Sequence, residues 1–297
     1  MGTAIALGNF DGVHIAHKAL VENMLFATAH KNVKRVVYLF EPHPRFLLFP
    51  SSPPRLLMET DLKVRRLLAL GADEVFLEKR GMEILSLTPR DFVEKILRDQ
   101  FGAEYVTAGF NYRFGKNAEG DAEMLKTLCK EFGIACEIME RVSAFDAPVS
   151  SSRLRALLEE GDISLYNKMS TAPYTIIGKV EEGKHLGRTL GFPTLNVPIS
   201  PTLLLPKKGV YISRTKLLGK EYKGVTNVGH NPTVENAPAR AETYLLDFSG
   251  EAYGETAETE LLAFLRPETK FADISALQGQ IQKDTEETRL YFERMNV

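Results

Sequence analysis

Short apolar runs alternate with amphipathic stretches through the first half of the chain in a β-α-β-α rhythm. The pattern predicts strands at Thr3–Leu7, Arg35–Phe40, Glu74–Leu77, Tyr105–Ala108 and Ile134–Glu140. It predicts helices at Lys18–His30, Asp61–Leu70, Pro89–Gln100, Ala122–Phe132 and Ser152–Glu160. Thr88 before Pro89 makes a good helix start, and Gly71, Gly102, Gly133 and Gly161 fall where helices should stop. Successive β-α units imply a parallel, Rossmann-like α/β sheet in three layers, with ligands at the carboxyl ends of its strands.

After Gly161 the period changes. Tyr174–Val180, Phe192–Val197, Val210–Leu217, Tyr222–Val228, Ala241–Phe248 and Glu260–Phe264 read as six strands separated by Gly, Pro and Asn. An all-β unit follows from this, more simply a closed or partly closed six-stranded barrel than an open sheet, because closure removes exposed edges. A C-terminal helix from Ile274 to about Arg294 carries Ile274, Leu277, Ile281 and Tyr291 at roughly helical spacing. The polar stretch 166–171 is the expected boundary, giving units 1–168 and 169–297.

Composition narrows the class. A chain of 297 residues with 44% hydrophobic positions can bury a core in each of two domains. The formal net charge of -2 gives no sequence-wide case for nucleic acid or an anionic membrane surface. Cys129 and Cys136 have neither zinc-site spacing nor a disulfide framework, and read as free thiols of a reducing compartment. No apolar run approaches the roughly 20 residues of a membrane span. A soluble, cytoplasmic protein with small-molecule partners is expected; self-association is left open.

The candidate chemistry lies at predicted strand ends. Gly8–His17 (GNFDGVHIAH) ends a strand and opens a helix, presenting Gly8, Asn9, Phe10, Asp11, His14 and His17 where backbone N–H groups and helix dipole favour an anion. FEPHPR carries His43, GFNYRFGK carries Asn111 and Arg113, and VSSSRLR carries Ser150, Ser151, Ser152 and Arg153. Taken singly, the serines could be only a helix cap, Asn9–Gly12 only a turn, and His43 only a rigid loop residue. Four such segments at corresponding strand ends point to one polyphosphate site.

In the second half, Gly183, Lys184, Gly187 and Arg188 could wrap phosphates without forming a Walker loop. Thr194 and Asn196 offer two hard oxygens suited to Mg²⁺, although PTLN is equally a strand with an edge proline. Glu242 alternates with Tyr244 and Leu246, which would set a carboxylate among large apolar side chains on one face; simple surface exposure is the alternative.

These motifs bring a family into view. GNFDGVHIAH, FEPHPR, GFNYRFGK followed by GD, and VSSSRLR resemble, in order, the nucleotidyltransferase module of bacterial FAD synthetases. The resemblance implies adenylyl transfer from ATP to FMN, with His14 and His17 donating to nucleotide phosphates, Asn9 and Asp11 shaping the loop, Arg153 holding pyrophosphate and Mg²⁺ bridging phosphates. From Tyr174 onward the series is similar to the riboflavin kinase module. There the residue matching Glu242 takes the proton of the ribityl 5′-hydroxyl, and Arg266, Glu268 and Phe271 are implied ring or ribityl contacts; Asn227, which opens NVGHNPT, is a further cofactor-binding candidate.

Five positions depart from the family pattern. Ala16 stands where glycine is usual, Asn111 where aspartate is common, and Leu195 where alanine is common; Thr243 and Tyr244 replace a frequent Val-His pair. The expectation is a bifunctional riboflavin kinase and FMN adenylyltransferase using ATP, riboflavin, FMN and Mg²⁺. Open alternatives are a monofunctional adenylyltransferase with a weak kinase module and a non-enzymatic flavin-binding regulator.

Overall fold

A computed structural model describes residues 2–183, 191–230 and 238–295. Contacts between residues divide the chain into two compact units, Met1–Arg153 and Leu154–Val297. The first is built on five parallel strands, β1 (Gly2–Leu7), β2 (Val33–Phe40), β3 (Glu74–Glu78), β4 (Ala103–Gly109) and β5 (Ala135–Met139), in spatial order β3-β2-β1-β4-β5. The chain winds outward from β1 to β2 and β3, then crosses back to β4 and β5. This reversal between β1 and β4 is the switch point, where loops leave in opposite directions and open a crevice. Ile5, Leu7, Val106 and Ala108 pack there with Leu125 and Cys129, which explains the unbroken apolar runs of the central strands.

The predicted helices form, with informative shifts. Helix α1 spans Ile15–Ala27, so it starts before the expected Lys18, because His14 caps it. Short helices α2 (Pro44–Leu48) and α4 (Met82–Leu85), on either side of α3 (Thr60–Ala69), lack the length to show a period in the sequence. The predicted helix Pro89–Gln100 begins as one turn, α5 (Pro89–Asp91), and continues as a π-helix over Phe92–Gln100. Its buried positions, Phe92, Val93, Ile96 and Leu97, recur every four residues, and the Phe101 N–H reaches back five residues to the Ile96 carbonyl. After α6 (Ala122–Glu131), a two-residue hairpin, β6 (Ser143–Ala144) with β7 (Ala147–Pro148), precedes α7 (Ser151–Glu160).

The stretch 166–171 overlaps helix α8 (Ile163–Met169), in which Tyr166 and Met169 are fully buried. The Asn167 side chain ties α8 to the sheet of the second unit, donating to the Leu261 carbonyl at 2.8 Å and accepting the Tyr174 N–H at 3.1 Å. Among its described residues that unit holds six antiparallel strands, β8 (Tyr174–Lys179), β9 (Thr194–Pro198), β10 (Gly209–Leu217), β11 (Lys220–His230), β12 (Ala239–Leu245) and β13 (Thr256–Arg266). They run β8-β13-β10-β11-β12-β9, and among the described residues the outermost strands are joined through a bridge between Glu181, just past β8, and Asn196. The barrel is therefore only partly closed. β13 runs longer than the expected Glu260–Phe264, because β8 and β10 both pair with its charged first half.

Alternation sorts the side chains of this sheet. One face buries Ala241, Thr243, Leu245, Thr226 and Ser213, whose hydroxyls satisfy one another at 2.7 and 2.9 Å. The opposite face carries an apolar cluster of Val210, Val225, Leu246, Tyr244 and Leu265. The long helix α9 (Ile274–Arg294) follows, its Asp273 cap accepting the Ala276 N–H at 2.8 Å.

Candidate active sites

The loop after β1 is held in a conformation few residues adopt. Phe10 and Val13 have φ of 51° and 34°, and Gly12 lies at 87°. Two fully buried side chains, Phe10 and Val13, anchor it, and a buried Asp11 fixes it by accepting the Leu57 N–H at 3.0 Å. The Ser151 hydroxyl donates to the Asp11 carbonyl at 2.7 Å, drawing the N-terminus of α7 onto the same loop. Asp11 thus supports the loop, and Phe10 lies against the His17 ring, centroids 5.0 Å apart.

His14 and His17 form a reciprocal cap. The Nδ1 of His14 accepts the His17 backbone N–H, and the Nδ1 of His17 accepts the His14 backbone N–H, both at 3.3 Å. The rings stack with centroids 3.6 Å apart and planes 9° from parallel. With both Nδ1 lone pairs engaged, each neutral ring carries its proton on Nε2. Burial lowers the His14 pKa to about 4, and burial followed by the charges of His14 and Lys63 holds His17 well below its usual value. The pair therefore offers two neutral N–H donors.

These donors open into a cavity of about 990 Å³ lined by Gly8, Asn9, His14, Ala16, His17, Asn111, Arg113, Ser150, Ser151 and Ser152. Its walls come from the ends of β1, β2, β4 and β5, the switch-point position the winding predicts. Ser150 caps the start of α7 by accepting the Arg153 N–H at 3.2 Å, so its capping role and its place in the wall coexist. The Arg153 guanidinium instead meets the Phe145 carbonyl at 3.3 Å, and His43 caps α2 by accepting the Arg45 N–H at 3.2 Å; neither lines the cavity. Arg113 lies 3.8 Å from Asp121.

Three contributors escaped the sequence reading. Lys63 sits in the apolar stripe of α3 at 3% exposure, close enough for its charge to depress His17. Arg141 lies over the Phe110 ring at 5.1 Å, and both line the cavity. Tyr38 forms part of the wall while donating to the buried Glu78 carboxylate at 3.0 Å. A lysine within a helical apolar stripe was the one available signal.

In the second unit the pairing register aligns the candidates. Asn196 of β9 faces Glu242 of β12, Glu242 faces Asn227 of β11, Asn227 faces Val210 of β10, and Val210 faces Arg266 of β13. Glu242 is exposed, while Tyr244 two residues along joins the apolar cluster on the same face. Thr194 and Asn196 share that face, and the Asn196 side chain fills the space a Cβ at Gly183 would need. Leu195 is 8% exposed on the opposite face beside Thr243, so that departure lies behind the site.

The other candidates split. Glu268 accepts the Asn227 amide at 3.2 Å. Arg266 gives its guanidinium to Asp284 of α9 at 2.8–3.1 Å and stands 5.7 Å from the Phe271 ring, so it fastens the helix to the sheet. Lys184, Gly187 and Arg188 lie outside the described residues.

Comparison with known proteins agrees with this division. The FAD synthetase family model matches residues 1–153 and the riboflavin kinase model residues 170–292. The bifunctional riboflavin kinase/FMN adenylyltransferase of Listeria monocytogenes is 33% identical, over 98% of this chain and 93% of that protein. The chain belongs to the bifunctional riboflavin kinase/FMN adenylyltransferase family. Members from Bacillus subtilis and Escherichia coli are each 32% identical, over 99% and 98% of this chain and 93% of their own length. A solved structure described as a macrolide-efflux protein from Streptococcus pneumoniae has a TM-score of 0.89 at 29% identity, over 97% of this chain and 94% of that one. Among the described residues no helix is long and apolar enough to cross a membrane.

Proposed function

We propose that the second unit transfers the γ-phosphoryl group of ATP to riboflavin, giving FMN, and that the first transfers the adenylyl group of ATP to FMN, giving FAD and pyrophosphate. The observation that carries this reading is that Gly8, Asn9, His14, His17, Asn111, Arg113 and Ser150–Ser152 line one cavity at the switch point of the first sheet, and that Asn196, Glu242 and Asn227 lie in one transverse row of the second.

In adenylyl transfer, an FMN phosphate oxygen forms a bond to the α-phosphorus of ATP while the bond to pyrophosphate breaks. The attacking group is already an anion, so alignment and charge stabilisation matter more than a base. The Nε2–H groups of His14 and His17 donate to the phosphate oxygens as charge grows, and the helix start at Ser150–Ser152 takes pyrophosphate. Arg153 reaches pyrophosphate by giving up its contact with the Phe145 carbonyl. Phe110 and Arg141 offer a flat surface for the flavin ring.

Riboflavin presents an alcohol, which gains from a positioned base. The 5′-hydroxyl attacks the γ-phosphorus, the bond to ADP breaks, and the exposed Glu242 carboxylate takes the hydroxyl proton. Thr194 and Asn196 present neutral hard oxygens on the face of Glu242, a donor set that suits Mg²⁺ already carrying phosphate oxygens and water. When bound, the ion neutralises phosphate charge. Among the described residues no cluster of three His, Cys, Asp or Glu competes for it. The reading carries a cytoplasmic setting and small-molecule partners.

The test is incubation with ATP, Mg²⁺ and either riboflavin or FMN, with the flavins resolved chromatographically. The expected result is FMN and FAD from riboflavin, and FAD from FMN. FAD from supplied FMN alone would remove the kinase half, and binding without turnover would remove both. His17→Ala should suppress FAD formation while sparing FMN, and Glu242→Ala should do the reverse.

A further inference from the structure

Adenylyl transfer brings two anions together, so the cavity of the first unit needs positive charge on the acceptor side as well as at the pyrophosphate. A phosphate monoester such as FMN carries about −1.5 to −2 charge near neutral pH, and it must approach an α-phosphate that is itself negative. His14 and His17 supply neutral N–H donors, because burial keeps both rings uncharged at that pH. Among the residues lining the cavity, Arg113 and Arg141 carry positive charge and Glu140 carries negative. Arg113 has a carboxylate neighbour, Asp121, at 3.8 Å. Among the described residues the Arg141 guanidinium has neither an ion pair nor a hydrogen-bond acceptor; its contact is the Phe110 ring, 5.1 Å away.

The sheet brings this guanidinium alongside the loop after β1. β5 pairs with β4 at Met139 and Gly109, and β4 pairs with β1 at Ala108 and Leu7. The Phe110 N–H donates to the Met139 carbonyl at 2.9 Å, which carries the β4–β5 pairing one residue further, into the segment that holds Arg141. Two strand spacings separate β1 from β5, roughly 10 Å, a span that an arginine side chain and a phosphate group cover together. Stacking on Phe110 holds the guanidinium by one face and leaves its edge for hydrogen bonds, since all five N–H donors lie in the plane.

We infer that Arg141 binds the phosphate of FMN and holds its attacking oxygen toward the α-phosphorus, with Phe110 keeping the guanidinium in place. The inference rests on the adenylyl-transfer reading of this cavity and assigns its acceptor end. The helix start at Ser150–Ser152 takes the leaving pyrophosphate, so the anions on the two sides of the α-phosphorus have separate partners. Arg141 offsets the repulsion on approach, to which Glu140 adds, and no proton moves to or from the guanidinium.

The test is steady-state FAD formation from FMN and ATP with Mg²⁺ by the full chain, with FMN formation from riboflavin as the control for folding. Arg141→Met keeps a long side chain and removes the charge. The expected result is an FMN KM higher by about tenfold, an ATP KM changed by less than about threefold, and an unchanged rate of FMN formation. Arg141→Lys restores the charge without the flat guanidinium and should bring the FMN KM back to within about threefold of the parent. A lysine variant no better than the methionine variant would reduce Arg141 to the flat surface it offers the flavin ring, and overturns the inference. An FMN KM that does not move in Arg141→Met overturns it too. So does an ATP KM that rises as much as that of FMN, which would put the guanidinium on the ATP phosphates. Should the parent make no FAD from FMN, the adenylyl-transfer reading fails instead, and this inference with it.

Discussion

At the scale of single residues, the histidine pair both caps α1 and lines the candidate cavity. His14 is 5% exposed, and its folded pKa of about 4 lies below the ordinary value of 6.5. The unfolded chain therefore binds the proton more readily. The resulting stability is fully present above about pH 6.5 and is lost as pH falls toward 4, a contribution on the order of 3 kcal/mol. Urea unfolding of the first unit at pH 7.5 and pH 5 should show this loss in the parent and a smaller one in His14→Gln. Ala16, between the two histidines in sequence, puts a methyl on the cavity wall. Ala16→Gly should lower the ATP KM of FAD formation while costing up to about 1 kcal/mol of stability, since glycine weakens a helix. An unchanged KM would show that the methyl does not crowd the nucleotide.

At the scale of elements, a helix end or a strand neighbour gives each site residue its direction. The Arg266–Asp284 pair joins β13 to α9 with side chains 19% and 4% exposed. Asp284→Ala would leave a guanidinium poorly solvated and without its partner, so thermal unfolding should show the second unit destabilised by about 3–5 kcal/mol. Joint replacement by Arg266→Met and Asp284→Leu should cost less, because no charge is then stranded. Equal losses in the single and double variants would contradict this account. The elements also show where the sequence pattern was readable. The strands of the parallel sheet and the helix Ile274–Arg294 carry enough apolar positions to declare their period. Helices α2 and α4 and the β6–β7 hairpin are too short to do so, and the π-helix differs from an α-helix only in hydrogen-bond reach.

At the scale of the whole molecule, each unit has its own sheet and its own group of site residues. The two steps should therefore separate genetically yet combine in solution. A mixture of His17→Ala and Glu242→Ala proteins, given riboflavin, ATP and Mg²⁺, should make FAD, because FMN released by the first is substrate for the second. FMN accumulating without FAD in that mixture would mean that Glu242→Ala also damages adenylyl transfer.

The sequence by itself determined the two-part plan, the fold classes and the candidate segments at the strand ends, because periodicity and turn residues are local properties written in order along the chain. Only the tertiary structure decided which atoms do what. It placed Asp11 in loop support, paired the histidines through backbone N–H groups, gave Arg266 to Asp284, and brought Lys63 close enough to act on His17. It also aligned Asn196, Glu242 and Asn227, which strand pairing brings together from three separate segments. Those outcomes depend on burial and on competition among partners distant in sequence, and a one-dimensional pattern does not record either.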